Sequence, residues 1–577
     1  MNRASTWILL GGLATLVYLS IHLAVTRIYQ VDECMELIVA KIVEMGQAKT
    51  HGASIGLLHF LLALAIHGAA RSIDFFMSAR LVMVAIFWLN LVLIALGTGE
   101  RLFSRRGLIA LVGAATLAPL WDYGFEIRHD NLLLSGMLLM WLTVRIRPWG
   151  LVSYFITGGL AVALQFAAHK AFVYTIPISL AILAFPPPGQ SATRWKLALA
   201  WGAGAFATIL ALRLVYGACG AAGIWEARKQ SFEFVSNVAT SESRFGPGLA
   251  LVRLLYQTPL LLALLASALV ALAVDLRRRG RSALTWDGSL PEALLFAGGF
   301  AALVINPTPF PYNLLHLVPF AFLFAFRHAS VLWKALWDSP TLLPVAGTVL
   351  VFVHLAPFAV ATCRHWDRPN SRQACLMSLA EEFTDPTKDP VFDGVGMVPS
   401  RPMIDPRALL HSLSFQSFVK GPGPQIRDML AKRPAAVFIP NYRTDWLPKA
   451  DQAFIREHYV CLADDFWVLG KILPPGSGTF EIIHPGRYCM SALPESDLAK
   501  TSRVGVARLP ARLDERSFTA TVDGVPVSNR PIELTEGTHR IECKPDWQPA
   551  VVWVGPKRDR VGRLSQSDHR FLFVNWY

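Results

Sequence analysis

Apolar runs bounded by short polar clusters fill the chain as far as about residue 360, and they are more continuous than the one-sided stripes of helices on a soluble protein. Runs long enough to cross a bilayer begin near Trp7, Ala79, Leu108, Leu132, Gly150, Ala171, Leu197, Leu249, Leu290, Leu314 and Thr341. A hydrocarbon core of roughly 30 Å takes about 20 apolar residues at helical rise, so the pattern predicts a mainly α membrane protein, a polytopic helical bundle of about eleven spans. Ile55 to His67 is apolar but only about thirteen residues long. If it crossed, every later basic loop would change sides, so it is read as an interfacial helix. The N-terminus is then cytoplasmic and the chain after Cys363 lies outside. Trp7 to Thr26 is long for a signal-peptide core and no small-x-small site follows it, so it reads as an uncleaved first helix.

After Arg364 the composition becomes that of a soluble protein, and about two hundred residues suffice for one or two small domains. Pro424 to Lys432 reads as a helix and Pro434 to Pro440 as a buried strand, which predicts a small α/β domain over 364–475. From Thr479 onward the pattern is β. Ser517 to Gly524 alternates and ends in a turn signal, and Ile532 to Cys543 and Ala550 to Gly555 continue as strands. The expected division is therefore a membrane domain over 1–363, the α/β domain, and an extracytoplasmic β-sandwich over 476–577.

Of the 577 residues 53% are hydrophobic and 16% charged, and the mean hydropathy is +0.40. The net charge of +13 falls in clusters between apolar runs, such as Arg101/Arg105/Arg106, Arg145/Arg147, Arg194/Lys196 and Arg277/Arg278/Arg279/Arg281. Cytoplasmic loops account for these, and with no basic and aromatic surface a nucleic-acid partner is excluded. The seven cysteines include no CxxC and no zinc spacing. Cys461 and Cys489 lie where a disulfide is permitted, and spacing does not decide the pairing.

On this topology the unusual polar residues collect at the outer face. Val31-Asp32-Glu33-Cys34 follows the first span, and two adjacent carboxylates at a membrane exit repel and are poorly solvated. They suit a base that takes a proton from an acceptor beside a group holding a metal or a sugar hydroxyl. The structural alternative is a polar flank and no more. Arg128-His129-Asp130, with Glu126 just before it, offers a guanidinium for phosphate and a carboxylate to orient it, or else an anchoring ion pair. His169-Lys170 interrupts an apolar stretch from Gly150 to Phe185, as a cavity-lining cation or as a plain hairpin. Arg80 opens a span from the outer side, for a lipid phosphate or as a snorkelling anchor. His51, His59 and His67 recur every eight residues, which places them near one helix face as ligands or as an interfacial stripe. The Gly217 to Gly248 loop, with Trp225, Glu226, Arg228, Lys229 and Phe232, suits a cover over a sugar site or a surface connection. Together the cations suit a phosphate leaving group and the carboxylates an acceptor hydroxyl, which are the needs of sugar transfer from a lipid-linked phosphate.

The order and sidedness of these residues resemble the GT-C superfamily of polytopic glycosyltransferases, in particular bacterial members similar to aminoarabinose transferases and protein O-mannosyltransferases. Asp32-Glu33 matches the carboxylate pair after the first span, Thr50 to His67 the interfacial stretch, and Arg80 the arginine that opens the next span. The Arg-Pro-Asp-x-Leu-Leu motif is matched by Arg128-His129-Asp130-Asn131-Leu132-Leu133, with His129 in place of proline. Lys170 matches a later lysine between spans, and Pro311-Tyr312-Asn313-Leu314-Leu315-His316-Leu317-Val318-Pro319 a Pro-Tyr-x-Leu-x-x-x-x-Pro pattern at a helix mouth. The resemblance covers roughly residues 1–360 and is most specific from Val31 to Lys170.

It implies that Asp32 and Glu33 are catalytic, one of them as the base, and that Arg80, Arg128, His129, Asp130, Lys170 and Tyr312 bind substrate. The implied donor is a polyprenyl-phosphate sugar and the acceptor a glycolipid, glycan or protein, reached by direct displacement with inversion. A divalent metal ion is left open as cofactor. The plain loop pattern, with no long insertions among the spans, favours a bacterial inner membrane, among membrane lipids, and the charge-based topology puts the site and tail outside. Two rivals make different demands. A flippase of lipid-linked sugar places charges at mid-membrane depth in two related halves, whereas these charges lie at outer mouths and no halves recur. A non-catalytic glycan-binding scaffold makes Asp32 and Glu33 dispensable and the tail essential.

Overall fold

A computed structural model describes residues 3–47, 55–145, 150–168, 170–186, 192–218, 229, 247–280, 290–306, 309–326, 342–410, 425–493, 506–507, 509, 520–528, 530–545, 547–559 and 572–573. The chain is mainly helical with β-sheets toward its C-terminal end. It divides into two compact units, one of residues 1–27, 39–67 and 77–368, the other of residues 28–38, 68–76 and 369–577.

The helices up to the end of the first unit are α1 (Arg3–Thr26), α2 (Val31–Glu44), α3 (Leu57–Ile66), α4 (Ser72–Gly97), α5 (Arg105–Ala115), α6 (Ala118–Tyr123), α7 (His129–Arg145), α8 (Leu151–Gln165), α9 (Ala171–Ala184), α10 (Arg194–Ala218), α11 (Gly248–Gln257), α12 (Pro259–Arg279) and α13 (Leu290–Ile305). A 3-10 turn over Pro311–His316 then leads into α14 (residues 318–326), and α15 (Leu342–Trp366) follows. Five described helices, in α1, α4, α10, α12 and α15, are long and apolar enough to cross a membrane, and five shorter apolar helices accompany them. The chain is a multi-pass membrane protein.

Two of the expected continuous runs are broken at proline. The run from Leu108 ends as α5 at Ala115 and restarts as α6, with Pro119 in the first turn of α6. The run from Leu249 breaks between α11 and α12 at Thr258-Pro259. Proline lacks the N–H that would continue the helix but fits its first turn. Helices α8 and α10 approach backbone to backbone, because a Cβ on Gly158 would collide with the Trp201 carbonyl and one on Gly204 with that of Phe155. On the outside, Leu199, Phe206 and Leu214 of α10 are 61%, 62% and 74% exposed. In the second unit Val525 is the one exposed large apolar side chain among the described residues. Lipid solvates the first set of surfaces; water suits the second.

The second unit contains α16 (Ser371–Phe383), α17 (Ile426–Lys432) and α18 (Lys449–His458). Its strands are β1 (Val391–Phe392), β2 (Val437–Phe438), β3 (Tyr459–Ala463), β4 (Phe466–Ile472), β5 (Gly478–Ile482), β6 (Gly486–Leu493), β7 (Ala520–Val522), β8 (Val525–Val527), β9 (Ile532–Leu534), β10 (Gly537–Glu542) and β11 (Gln548–Trp553). Seven of them form one sheet in the order β1-β2-β4-β11-β6-β9, with β3 also on β4, and four form a second in the order β5-β10-β7-β8. The first sheet draws strands from both sides of residue 475, with β11 zipped antiparallel onto β4 and β6 and Ala550, Val551 and Val552 buried. Phe438 stacks on Trp467 at 5.0 Å in its core, and Trp553 Nε1 donates to the Phe383 carbonyl at 2.8 Å. The turn signal at Asp523-Gly524 closes the β7–β8 hairpin with φ of 52° and 80°, the pair of positive φ values that favours this dipeptide.

Segments 28–38 and 68–76 are fastened to this unit by polar pairs. Tyr29 N–H donates to Gln373 Oε1 at 2.7 Å, and Gln373 Nε2 donates back to the Tyr29 carbonyl at 2.9 Å. Glu381 Oε1 accepts from the Ser72 N–H at 2.6 Å and from Ser400 Oγ at 2.7 Å. The first of these pairs lies three residues before Asp32, so it fixes where that carboxylate leaves the backbone.

Candidate active site

In the first unit, three separate stretches meet around one carboxylate. Arg128, His129 and Asp130 open α7, Lys170 immediately precedes α9, and Tyr312, Asn313 and His316 lie on the 3-10 turn. The loop that delivers Arg128 is held from below. Asn131 Nδ2 donates to the carbonyls of Tyr123 (3.0 Å) and Glu126 (3.1 Å), while Ser135 Oγ donates to Asn90 Oδ1 at 2.7 Å.

Asp130 is fully buried, with Lys170 Nζ 2.5 Å from Oδ1 and Arg128 Nε 3.3 Å from Oδ2. His129 Nε2 is 3.8 Å from Oδ2 and His316 Nε2 3.7 Å from Oδ1. Lys170 Nζ also donates to Asn313 Oδ1 at 2.6 Å. The Tyr312 ring carries both cations, with Arg128 Cζ 3.7 Å and Lys170 Nζ 4.5 Å from its centroid. One carboxylate against two permanent cations leaves one surplus positive charge. The carboxylate is sealed at 0% exposure, whereas Lys170 and His129 remain 19% and 28% open. Such an arrangement presents charge outward to an oxyanion while Asp130 and Tyr312 hold the cations in place. Asn313 Nδ2, a donor, and His316 Nδ1, the acceptor of a ring whose Nε2–H donates to the Asp130 carbonyl at 3.2 Å, are buried here with no hydrogen-bond partner, and a ligand or water would complete them.

Asp32 and Glu33, in the second unit, differ in role although they are adjacent. Glu33 is fully buried and its Oε2 accepts the Gln30 N–H at 2.8 Å, so it reaches back to close the first turn of α2. Asp32, in the same turn, is partly exposed. Arg80 is fully buried and donates to the carbonyls of Ala24 (3.0 Å) and Arg27 (2.8 Å), which pins the end of α1. Glu126 pairs with Arg27 at 3.2 Å. His59 Nδ1 accepts the Gly56 N–H at 2.8 Å, and exposed His67 pairs with Glu44 at 3.1 Å. His51, His169 and the Gly217–Gly248 loop, apart from Lys229 and the two residues at each end, lie outside the described residues.

A second buried charge cluster escaped the sequence reading. Asp122 accepts both carboxylate contacts from Arg364 Nη2 at 2.6 Å, with His365 Nε2 at 2.8 Å and a donor from Gln257 Nε2 at 2.7 Å. Arg27 Nη1 donates to the Asp122 carbonyl at 3.0 Å. The available signal was an aspartate inside an otherwise apolar run. Asn313 and His316 were visible only as the neighbours of Tyr312. Among the described residues no group of three His, Cys, Asp or Glu side chains stands as a metal ion would need.

No family model matches the chain, and no curated protein matches it in sequence. Among solved structures it is similar to ArnT from Cupriavidus metallidurans bound to undecaprenyl phosphate, with a TM-score of 0.49 at 15% identity over 77% of this chain and 94% of that one. It is also similar to the oligosaccharyltransferase AglB from Archaeoglobus fulgidus in complex with an inhibitory peptide and a dolichol-phosphate, with a TM-score of 0.48 at 10% identity over 88% of this chain and 74% of that one. The structure of the Archaeoglobus fulgidus oligosaccharyltransferase with Zn and sulfate gives 0.43 at 11% identity over 78% and 71%. At these values the residues described above, and not the likenesses, carry the functional reading.

Proposed function

We propose that this chain is a membrane glycosyltransferase that moves a sugar from a polyprenyl-phosphate donor to an acceptor hydroxyl at the extracytoplasmic face. The observation that supports it best is the pair of cations, Arg128 and Lys170, stacked on Tyr312 and tied to buried Asp130. Departure of a polyprenyl phosphate leaves negative charge on the phosphate oxygens. Preorganised cations in a site poor in water stabilise that charge as it develops, and removing one such donor typically lowers a rate by about 10²–10³-fold.

Asp130 serves as the positioning group, since its oxygens are engaged by the cations. The acceptor-side base in this reading is Asp32, because Glu33 is buried in closing the helix start while Asp32 keeps some exposure. The carboxylate takes the proton from the acceptor hydroxyl as its oxygen forms the bond to the anomeric carbon. The bond from that carbon to the phosphate oxygen breaks, and a single displacement inverts the configuration. His129 completes the reading as a substrate-binding residue at the open edge of the cluster, and Arg80 acts on the substrate side only through the α1 end that it pins. The wider assignment is a bundle of about eleven spans in a bacterial plasma membrane, with a glycolipid, glycan or protein as acceptor.

Transfer by the purified protein from a panel of polyprenyl-phosphate sugars tests this, read as release of free polyprenyl phosphate. Loss of release in Lys170→Met, with folding retained, supports it; release unchanged in both Lys170→Met and Asp32→Asn sinks it.

A further inference from the structure

The second unit holds a buried guanidinium that none of the assigned chemistry uses. Arg443 is 4% exposed, and its Nη1 is buried without a hydrogen-bond partner. Its Nε donates to Tyr442 Oη at 3.0 Å, and its Cζ lies 4.4 Å from the Trp446 ring centroid and 5.2 Å from that of Tyr442. The turn beneath it is locked. Asn441 Nδ2 donates to the Asp393 carbonyl at 2.6 Å, Asn441 Oδ1 accepts the Arg443 N–H at 2.9 Å, and Thr444 Oγ1 donates to the Asn441 carbonyl at 2.8 Å. The guanidinium is thus held before any ligand arrives. Asp32 is an electrostatic neighbour in the same unit: burial pushes the Tyr442 phenol up, Arg443 pulls it back, and the Asp32 carboxylate adds to the rise.

A cation taken from water and left with an unmet N–H is costly, and an oxyanion meets that need with two parallel hydrogen bonds to the planar fork. We infer that Arg443, clasped by Tyr442 and Trp446, is an oxyanion-binding residue for the acceptor, which therefore carries a phosphate or carboxylate group near the hydroxyl that is glycosylated. The inference deepens the proposed transferase reading and rests on it for the word acceptor. The binding site itself stands without it.

The test uses the full chain in detergent micelles, with tryptophan fluorescence read during titration by inorganic phosphate and, in a parallel arm, acetate, at ionic strength held constant with chloride. Trp446 is the local reporter, so the signal should be missing in Trp446→Phe. The expected result is a saturable change with one or both oxyanions that weakens at least about tenfold in Arg443→Gln, the ratio expected for one charge-assisted contact, and less in Arg443→Lys, which keeps the charge but not the fork. The stronger arm identifies a phosphate or a carboxylate acceptor. Absence of saturable change with both probes overturns the inference, as does wild-type affinity in Arg443→Gln at an unchanged melting temperature. If Arg443→Gln does not fold, wild-type affinity in Arg443→Lys overturns it instead. No donor is needed, so the two readings fail separately. Arg443-dependent binding without sugar transfer removes the transferase reading alone, and transfer without such binding removes this one alone.

Discussion

Replacing Asp130 by asparagine tests the idea that one carboxylate holds the cation pair together. The change is nearly isosteric, so its effect is electrostatic. Asp130 is at 0% exposure, with Lys170 at 2.5 Å and Arg128 at 3.3 Å. Removing one partner of a buried ion pair leaves an uncompensated buried charge, which costs about 3–5 kcal/mol. At about 1.4 °C per kcal/mol for a cooperative unit of roughly 350 residues, the melting temperature should fall by about 4 °C or more. Lys170→Met in the same background removes one of the stranded cations, so the double variant should recover part of the loss. A coupling of about 1–3 kcal/mol is expected for residues in direct contact. The assay is thermal unfolding of the four proteins of the cycle, followed by tryptophan fluorescence in one detergent. An Asp130→Asn melting temperature within about 1 °C of wild type, or strict additivity in the double variant, would refute the reasoning.

Asp32→Asn should lower transfer by about 10²–10⁴-fold at an unchanged melting temperature, as removal of a general base does, whereas Glu33→Gln should lower the melting temperature through the helix start. Equal effects of the two on both readouts would contradict the separation of roles. Tyr312→Leu removes the ring under both cations and should raise the apparent KM for donor by about 2–30-fold, the range for one or two cation–π contacts; steady-state kinetics at varied donor concentration reads this. In the four-stranded sheet, burial pulls the His539 imidazole down, but its hydrogen bond to Asp523 and the Thr535 carbonyl outweigh it and leave it raised. Asp523 is lowered by the Arg540 N–H and by His539. A raised histidine contributes stability below its unfolded pKa and loses it as pH rises through the folded value, and a lowered aspartate contributes above its unfolded pKa. The pair therefore supports the β7–β8 hairpin best between about pH 4 and 6.5. Hydrogen exchange should show hairpin protection falling from pH 6 to 8 beyond the intrinsic rate change in wild type but not in His539→Gln.

Several features were legible before any coordinates. The long apolar runs, the strand at Val437–Phe438, the helix at Ile426–Lys432 and the Asp523-Gly524 turn follow from local pattern and turn chemistry. The sequence reading assigned the loops carrying Arg128, Asp130, Lys170 and Tyr312 to one membrane face, and charges on short loops assigned to one face have few places to go. Other features depended on tertiary partners. Asp122 was not singled out in the sequence, and only the folded chain brings Arg364, His365 and Gln257 to it. Nothing in Asp32-Glu33 distinguishes two adjacent carboxylates until the helix start is fixed and one of them turns back to Gln30. The pairing of β11 with β4 spans about eighty residues, and strand register over such a separation is set by burial on both faces rather than by local sequence. Arg443 was invisible for another reason, since its local partners Tyr442 and Trp446 do not reveal that the guanidinium is buried, which is a property of the folded core.

The measurement that bears most directly on the central claim is release of free polyprenyl phosphate by the purified full chain, supplied with polyprenyl-phosphate sugars and candidate glycolipid or protein acceptors. Wild type should release it in an acceptor-dependent way, and Lys170→Met and Asp32→Asn should each lose the activity while keeping their fold. Release that proceeds equally in wild type and both variants would contradict the assignment of the cation cluster and the first-turn carboxylate to sugar transfer.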